Sequence, residues 1–409
     1  GSLPVGRYCA AALARLGHCV EVFEAPDFHP AFEAIKRLRV TMDRLAYLQN
    51  SFLQVVSQAV LAKVETFEPD LVLSLAQAPL TQQALKRLHR DGIPTAMWFV
   101  EDYTLFTYWR SFAPFYDYFA VIQIVPFFER LHEIGCEKVL YLPLAADPEF
   151  HKPQELNPVE RRQFGSDVSF LGAGYPNRRR AFLQLLGYDL KIWGTEWDGE
   201  PALAERVQRG GARIPPEDAV KIFNASAVNL NLHSSVRGSE LVSRGDFVNP
   251  RTFELAACGA FQLVDQRDLM DELFAPGELE TFADMTELKE KIDHYLSHPD
   301  ERQAMAARAR ERVLRDHTYE RRMDALLDYV AKDRPVWPTP RGAGDPSLAD
   351  LPEDLPEPVA ALLERLRLSP DVPFADLVAA LRREQGKLSD LETSILFLDE
   401  WKKQYDAKS

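Results

Sequence analysis

Along most of the chain, short apolar runs alternate with longer stretches whose apolar positions recur every third or fourth residue. FEPDLVLSL (67–75) and the runs at 94–100, 118–124 and 138–142 read as strands, with helices expected over 81–90 and 126–134. Residues 31–66 hold no glycine and follow Pro30, so a long helix is expected there. A second series starts at SDVSFLGAG (166–174). It continues through a helix at 178–186, LKIWG (190–194), a helix around 202–209 and VNLNLH (228–233), and ends in a strand and closing helices up to 330. Strands alternating with helices predict an α/β class with parallel sheets covered on both faces. In such sheets a ligand sits beyond the carboxyl ends of the strands.

The beginning departs from this rhythm. Residues 4–24 read as a loop, a helix capped by Gly17 and a strand, the second half of a βαβ unit without its first strand. Either the natural chain is longer, as it would be if Gly1 and Ser2 are a tag remnant, or another segment replaces that strand. The Pro-rich polar stretches 142–160 and 333–356 (Pro335, Pro338, Pro340) read as linkers. They divide the chain into an N-terminal Rossmann-like domain (1–150), a second Rossmann-like domain (160–332) and a helical tail (357–409). In the tail, Phe374, Leu377, Leu381, Leu388, Leu391, Ile395 and Leu398 fall on a and d positions of a heptad, with Glu384 the polar interruption. That stripe must be buried, against the chain's own body or against a second copy or partner.

Composition narrows the classes. A net charge of −14 over 409 residues argues against a general nucleic-acid binder. No apolar stretch approaches membrane-spanning length, and no signal peptide is visible, so a cytoplasmic protein is expected. Cys9, Cys19, Cys136 and Cys258 are isolated, which suggests small buried thiols of a reduced compartment and no zinc site.

The chemistry concentrates in three stretches. VNPRTFELAACGAFQLVD (248–265) has Asn249, Pro250 and Arg251 ahead of a short helix, Gly259 as its cap and a buried strand ending at Asp265. Glu254, one turn into that helix, is placed to accept hydrogen bonds from a ribose diol. FLGAGYPNRRR (170–180) ends a strand in Gly172 and Gly174 and starts a helix with Arg178, Arg179 and Arg180, a setting for an anion. Successive helical residues lie about 100° apart, so the three arginines cannot share one direction. In 228–249, Asn229, Asn231 and His233 alternate on one strand face, and the loop adds Arg237, Arg244 and Asp246, as in a cleft wall.

These stretches resemble the C-terminal half of the GT-B glycosyltransferases, and more narrowly the CgeB-like, spore-maturation type. The family pattern N-x-R-x-F-E-x-x-A-C-G is present from Asn249 to Gly259. The resemblance spans residues 60–330, is strongest over 165–325 and leaves the tail uncovered. It implies two Rossmann-like domains facing across a cleft. Glu254 would bind the ribose of a nucleotide-sugar donor, with Asn249, Arg251, Asn231 and His233 around it. Gly172, Gly174, Tyr175 and Arg178 would face the diphosphate, and Gly194 the base. Trp193 would either stack on that base or pack in the core. The implied reaction transfers a sugar from a nucleotide-diphosphate sugar, a UDP-sugar first, to an unidentified protein, glycan or small-molecule acceptor. No cofactor or metal is expected, since GT-B enzymes stabilise the leaving diphosphate with cations and helix ends. On the acceptor side, WFVEDYTLFTYW places Asp102, and after it Glu101, as the candidate catalytic base. Two alternatives share the fold: a nucleotide-sugar epimerase, and a non-catalytic scaffold acting through its helical tail.

Overall fold

A computed structural model describes residues 3–235, 245–338, 357–384 and 386–406. Gly1, Ser2, Arg237, Arg244 and the linker residues 339–356 lie outside the described residues. The chain divides into two compact units, one of residues 1–22, 73–77 and 96–329, the other of 23–72, 78–95 and 330–409.

The described residues form two sheets. The first orders β1 (Val72–Leu75), β2 (Thr95–Phe99), β3 (Tyr118–Val121) and β4 (Val139–Tyr141) as β1-β2-β3-β4. β2, β3 and β4 run parallel, with Phe99 level with Val121 and Val121 with Tyr141. Every residue of β2 and β3 is buried, as expected of a sheet covered on both faces. The second sheet holds β5 (Val168–Leu171), β6 (Leu190–Trp193), β7 (Val228–Asn231), β8 (Gln262–Asp265) and β9 (Glu280–Phe282) in the order β6-β5-β7-β8-β9. All of its pairings are parallel. Strand order reverses at β5, between β6 and β7, and a crevice forms beyond strand ends at such a switch point.

The strand expected within 18–24 is not formed. The sheet begins at β1, and Cys19 and Val22 face solvent. Cys19 is therefore no buried thiol, whereas Cys9, Cys136 and Cys258 are buried. Closure of the first unit comes from the helix Tyr319–Asp333. Its Arg322 donates to the carbonyls of Pro143 at 2.7 Å and Leu144 at 3.1 Å and to Asp316 O at 2.9 Å. Ala146 bridges Thr318 in the same place.

In the second unit the helix expected over 31–66 is two helices, His29–Lys36 and Met42–Phe67. Thr41, extended at ψ 152°, starts the second, a helix-start residue that interrupts what reads as one apolar period. The described residues of the tail form three helices, Glu357–Leu366, Phe374–Arg383 and Asp390–Asp406. They share a core of Leu362, Leu363, Val372, Leu377, Val378, Leu381 and Ile395. The heptad stripe does not stay on one face. Leu377, Leu381 and Ile395 are buried, Phe374 and Leu391 partly so, and Leu388 and Leu398 are exposed. The break falls at 384–389, where Gly386 has φ +124°. Helix Phe374–Arg383 packs on Met42–Phe67, and Arg382 joins Glu68 at 3.1 Å and Asp399 at 2.8 Å. No helix among the described residues is long and apolar enough to cross a membrane.

Candidate functional site

The helix Pro250–Ala257 starts where the sequence places it. Asn249 is its N-cap, with Oδ1 accepting from Thr252 N at 3.2 Å, and Pro250 occupies the first helical position. Gly259, at φ +65°, turns the chain into β8. A buried polar network fixes this N-terminus. Asn231 accepts from Asn249 Nδ2 at 2.8 Å and donates to Thr252 Oγ1 at 2.9 Å and Gln262 Oε1 at 3.1 Å. His233 Nε2 accepts from Asn249 N at 2.9 Å, while its Nδ1 meets Asp265 Oδ1 at 2.6 Å. Arg267 completes the network at 3.0 Å from Asp265. Burial drives the His233 pKa down to about 4, so the ring is neutral with its proton on Nδ1. Burial pushes the Asp265 carboxyl up, but His233 and Arg267 outweigh it and leave the group below its ordinary range. Asn231 and His233 are each at most 2% exposed, and their polar atoms are spent on holding the helix. The polar strand face braces the helix from behind.

Arg251 and Glu254 do stand together. Arg251 Nη1 is 2.8 Å from Glu254 Oε2, and both side chains keep some exposure, 27% and 14%. The second carboxylate oxygen faces His151 Nε2 at 3.9 Å. His151, Asp147 and Tyr8 are the neighbours sequence reasoning missed. For Asp147 and His151 the one local signal is the Asp-Pro turn of DPEFH inside a stretch read as linker, in which the Asp147 carboxylate accepts from Glu149 N at 3.0 Å.

The glycine loops pack on one another. Gly172 N donates to Trp193 O at 2.9 Å and Gly174 N to Thr195 O at 2.8 Å. A Cβ on Gly174 would overlap the Glu196 carbonyl, and one on Gly194 (φ +117°) would meet the Gly172 carbonyl. Small residues are thus required for the loops after β5 and β6 to touch. The arginines diverge. Arg178 donates from Nε and Nη2 to Leu232 O at 2.9 and 2.6 Å and from Nη1 to Ala173 O at 2.9 Å, spanning the β5/β7 switch point. Its guanidinium lies over the rings of Phe170 and Tyr175. Arg179 turns to Gly174 O and Glu196 O, and Arg180 is exposed. Trp193 is 1% exposed and packs with Phe164, Val220, Phe223 and Leu255. The core alternative for that ring is the one the structure adopts.

On the other sheet, Asp102 Oδ1 accepts from Thr104 N at 2.8 Å and Thr104 Oγ1 at 2.6 Å, an Asx turn just after β2. Glu101 accepts from Gln77 Nε2 at 3.0 Å and from the Tyr108 hydroxyl at 2.7 Å. Asp246 accepts from Ile124 N, from Val125 N at 3.1 Å and from Gln123 Nε2 at 3.1 Å. Gln123 in turn accepts from Tyr103 N at 3.1 Å. This relay ties the turn after β2 to the loop ahead of Asn249. No group of three His, Cys, Asp or Glu among the described residues is arranged to hold a metal.

The architecture is shared with solved structures. A glycosyltransferase from Rickettsia africae ESF-5 superposes with a TM-score of 0.54 at 13% identity, covering 81% of this chain and 95% of that one. HepE of Anabaena, solved with UDP and glucose, gives 0.50 at 13% identity, covering 69% and 82%. Residues 178–328 match the family described as "Glycosyl transferase-like". The fold is therefore GT-B, and residues 178–328 are similar to that family. Among individual proteins, the spore protein CgeB of Bacillus subtilis (strain 168) is 26% identical over 271 residues, 60% of this chain and 78% of that protein. The chain is similar to that protein over those residues.

Proposed function

We propose that this chain transfers a glycosyl group from a nucleoside-diphosphate sugar to an acceptor, with 160–332 as the donor domain and 1–150 as the acceptor domain. HepE shares the fold and was solved with UDP and glucose, which makes a UDP-sugar the first donor to try. The observation that carries the proposal is Arg178. It is a guanidinium at the switch point whose hydrogen-bond partners are neutral carbonyls and no carboxylate. Burial lowers its pKa to about 10, so it stays charged at neutral pH. Three of its five donors are used, leaving two for an anion such as the leaving diphosphate. Glu254, held by Arg251, receives the ribose. Asp102 takes the acceptor proton through its second oxygen while the first keeps the turn.

Calorimetric titration with UDP, GDP, ADP and dTDP on wild type and on Glu254→Ala tests this. One nucleotide is expected to bind in the micromolar range. Loss of hydrogen bonds to a charged group should weaken it roughly tenfold or more in the variant. Wild type that binds none of the four overturns the proposal and leaves the scaffold reading. A nucleotide-sugar that turns over without any acceptor, to an isomeric product, moves the assignment to an epimerase.

A further inference from the structure

A second buried imidazole stands beside the candidate ribose carboxylate, and nothing in the proposed reaction uses it. His151 is 3% exposed. Its Nδ1 accepts from Asp147 N at 3.1 Å, which leaves the ring proton on Nε2. Burial holds its pKa below the ordinary value despite the pull of Glu254. The ring is thus neutral near pH 7 and presents one N–H toward Glu254 Oε1, 3.9 Å away. The ring is wedged: Tyr8 meets it edge-on at 5.0 Å and Phe150 at 5.1 Å. The turn that supplies the Asp147 N–H is itself anchored, because Arg15 holds the Asp147 carboxylate at 3.1 Å.

An ionised carboxylate offers about four lone-pair positions. Arg251 takes one on Oε2. His151 orients Oε1 by dipole attraction at a length beyond a hydrogen bond, so it occupies none. Positions on both oxygens therefore stay open on a carboxylate whose plane is set from two sides, which suits two adjacent hydroxyls. We infer that His151 is a positioning residue that sets the Glu254 carboxylate for a vicinal ribose diol, so that the site selects ribonucleotides over deoxynucleotides. The inference rests on the donor reading above and adds the residue and the sugar feature that decide it.

The test is a ratio of affinities, for UDP and for 2′,3′-dideoxy-UDP, on wild type, Glu254→Ala, His151→Phe, His151→Met and His151→Gln. Wild type is expected to prefer UDP by roughly tenfold or more. The two variants without a donor should lose most of that preference while binding the dideoxy nucleotide as before, and His151→Gln, which keeps an N–H, should recover part of it. A merely structural defect weakens both nucleotides equally and leaves the ratio intact. A folded His151→Phe or His151→Met with the wild-type ratio overturns the inference, while a ratio lost in Glu254→Ala keeps the donor reading. Wild type that binds UDP without preference also overturns the inference alone. Wild type that binds neither these two nor GDP, ADP or dTDP removes both.

Discussion

His233→Ala separates a brace from a ligand-binding group. The side chain has two hydrogen-bond partners, the fully buried Asp265 Oδ1 at 2.6 Å and the half-buried Asn249 N at 2.9 Å. Removing the ring takes a hydrogen bond from a fully buried carboxylate, worth about 1.5–3 kcal/mol. It also strips the N-cap residue's N–H of its acceptor, about 1–3 kcal/mol more. Arg267 and the His233 N–H still reach Asp265, so the carboxylate is weakened and not abandoned. The sum, about 2.5–6 kcal/mol, corresponds to a melting temperature lower by roughly 5 °C or more for a unit of this size. Thermal unfolding followed by circular dichroism reads it directly. In an Asp265→Asn background the same substitution should cost less, since the two side chains act as one unit. A His233→Ala protein that melts within about 2 °C of wild type and yet has lost nucleotide affinity would refute the assignment of this histidine to the brace.

Asp102→Asn should leave nucleotide affinity unchanged and lower turnover about 10²-fold or more. The amide oxygen still accepts from Thr104 and keeps the turn, so unaltered turnover removes Asp102 as the base. Acid stability offers an independent check. His233 and His317 have folded pKa values of about 4 against 6.5 for the free side chain. Only the unfolded chain gains protons as pH falls from 6.5 to 4, so stability declines across that window, by roughly 3 kcal/mol per histidine at the lower end. Denaturation midpoints that stay flat between pH 6.5 and 4 would contradict the burial of both rings. Gly174→Ala forces a methyl into the Glu196 carbonyl and should cost about 1–3 kcal/mol. A neutral result in chemical denaturation would mean that the loops after β5 and β6 are free to separate.

What the sequence made legible was local. Pro250 and Gly259 bracket the helix Pro250–Ala257 by backbone restrictions that act within a few residues, and the run before Asp265 has the length and composition of a buried strand. The alternation of elements likewise foretold two parallel sheets. Residues 18–24 have strand-like alternation but meet no neighbouring strand, and propensity without a partner does not make a ladder. The heptad stripe of the tail is cut by Gly386, whose positive φ ends the period that its leucines continue. The site was half legible. Arg251 and Glu254 lie one turn apart in sequence. His151 reaches Glu254 from across more than a hundred residues, and no local pattern carries that contact. The alternating Asn231 and His233 read as a polar wall because alternation shows that a face is polar, not whether solvent reaches it.

The clasp of Arg322 on the Pro143 and Leu144 carbonyls has a consequence in time. The donor and acceptor of that bond are 179 residues apart. During synthesis the strand β4 and the segment leaving it emerge well before their clasp exists, and their carbonyls stay hydrated until the helix Tyr319–Asp333 has left the ribosome. The β1–β4 sheet therefore cannot finish folding early and wait for the rest, as sequential domains do. Its completion is a late, long-range step, slow in the way that contacts of high sequence separation are slow. A nascent or truncated chain ending before residue 317 would expose that sheet's unfinished edge.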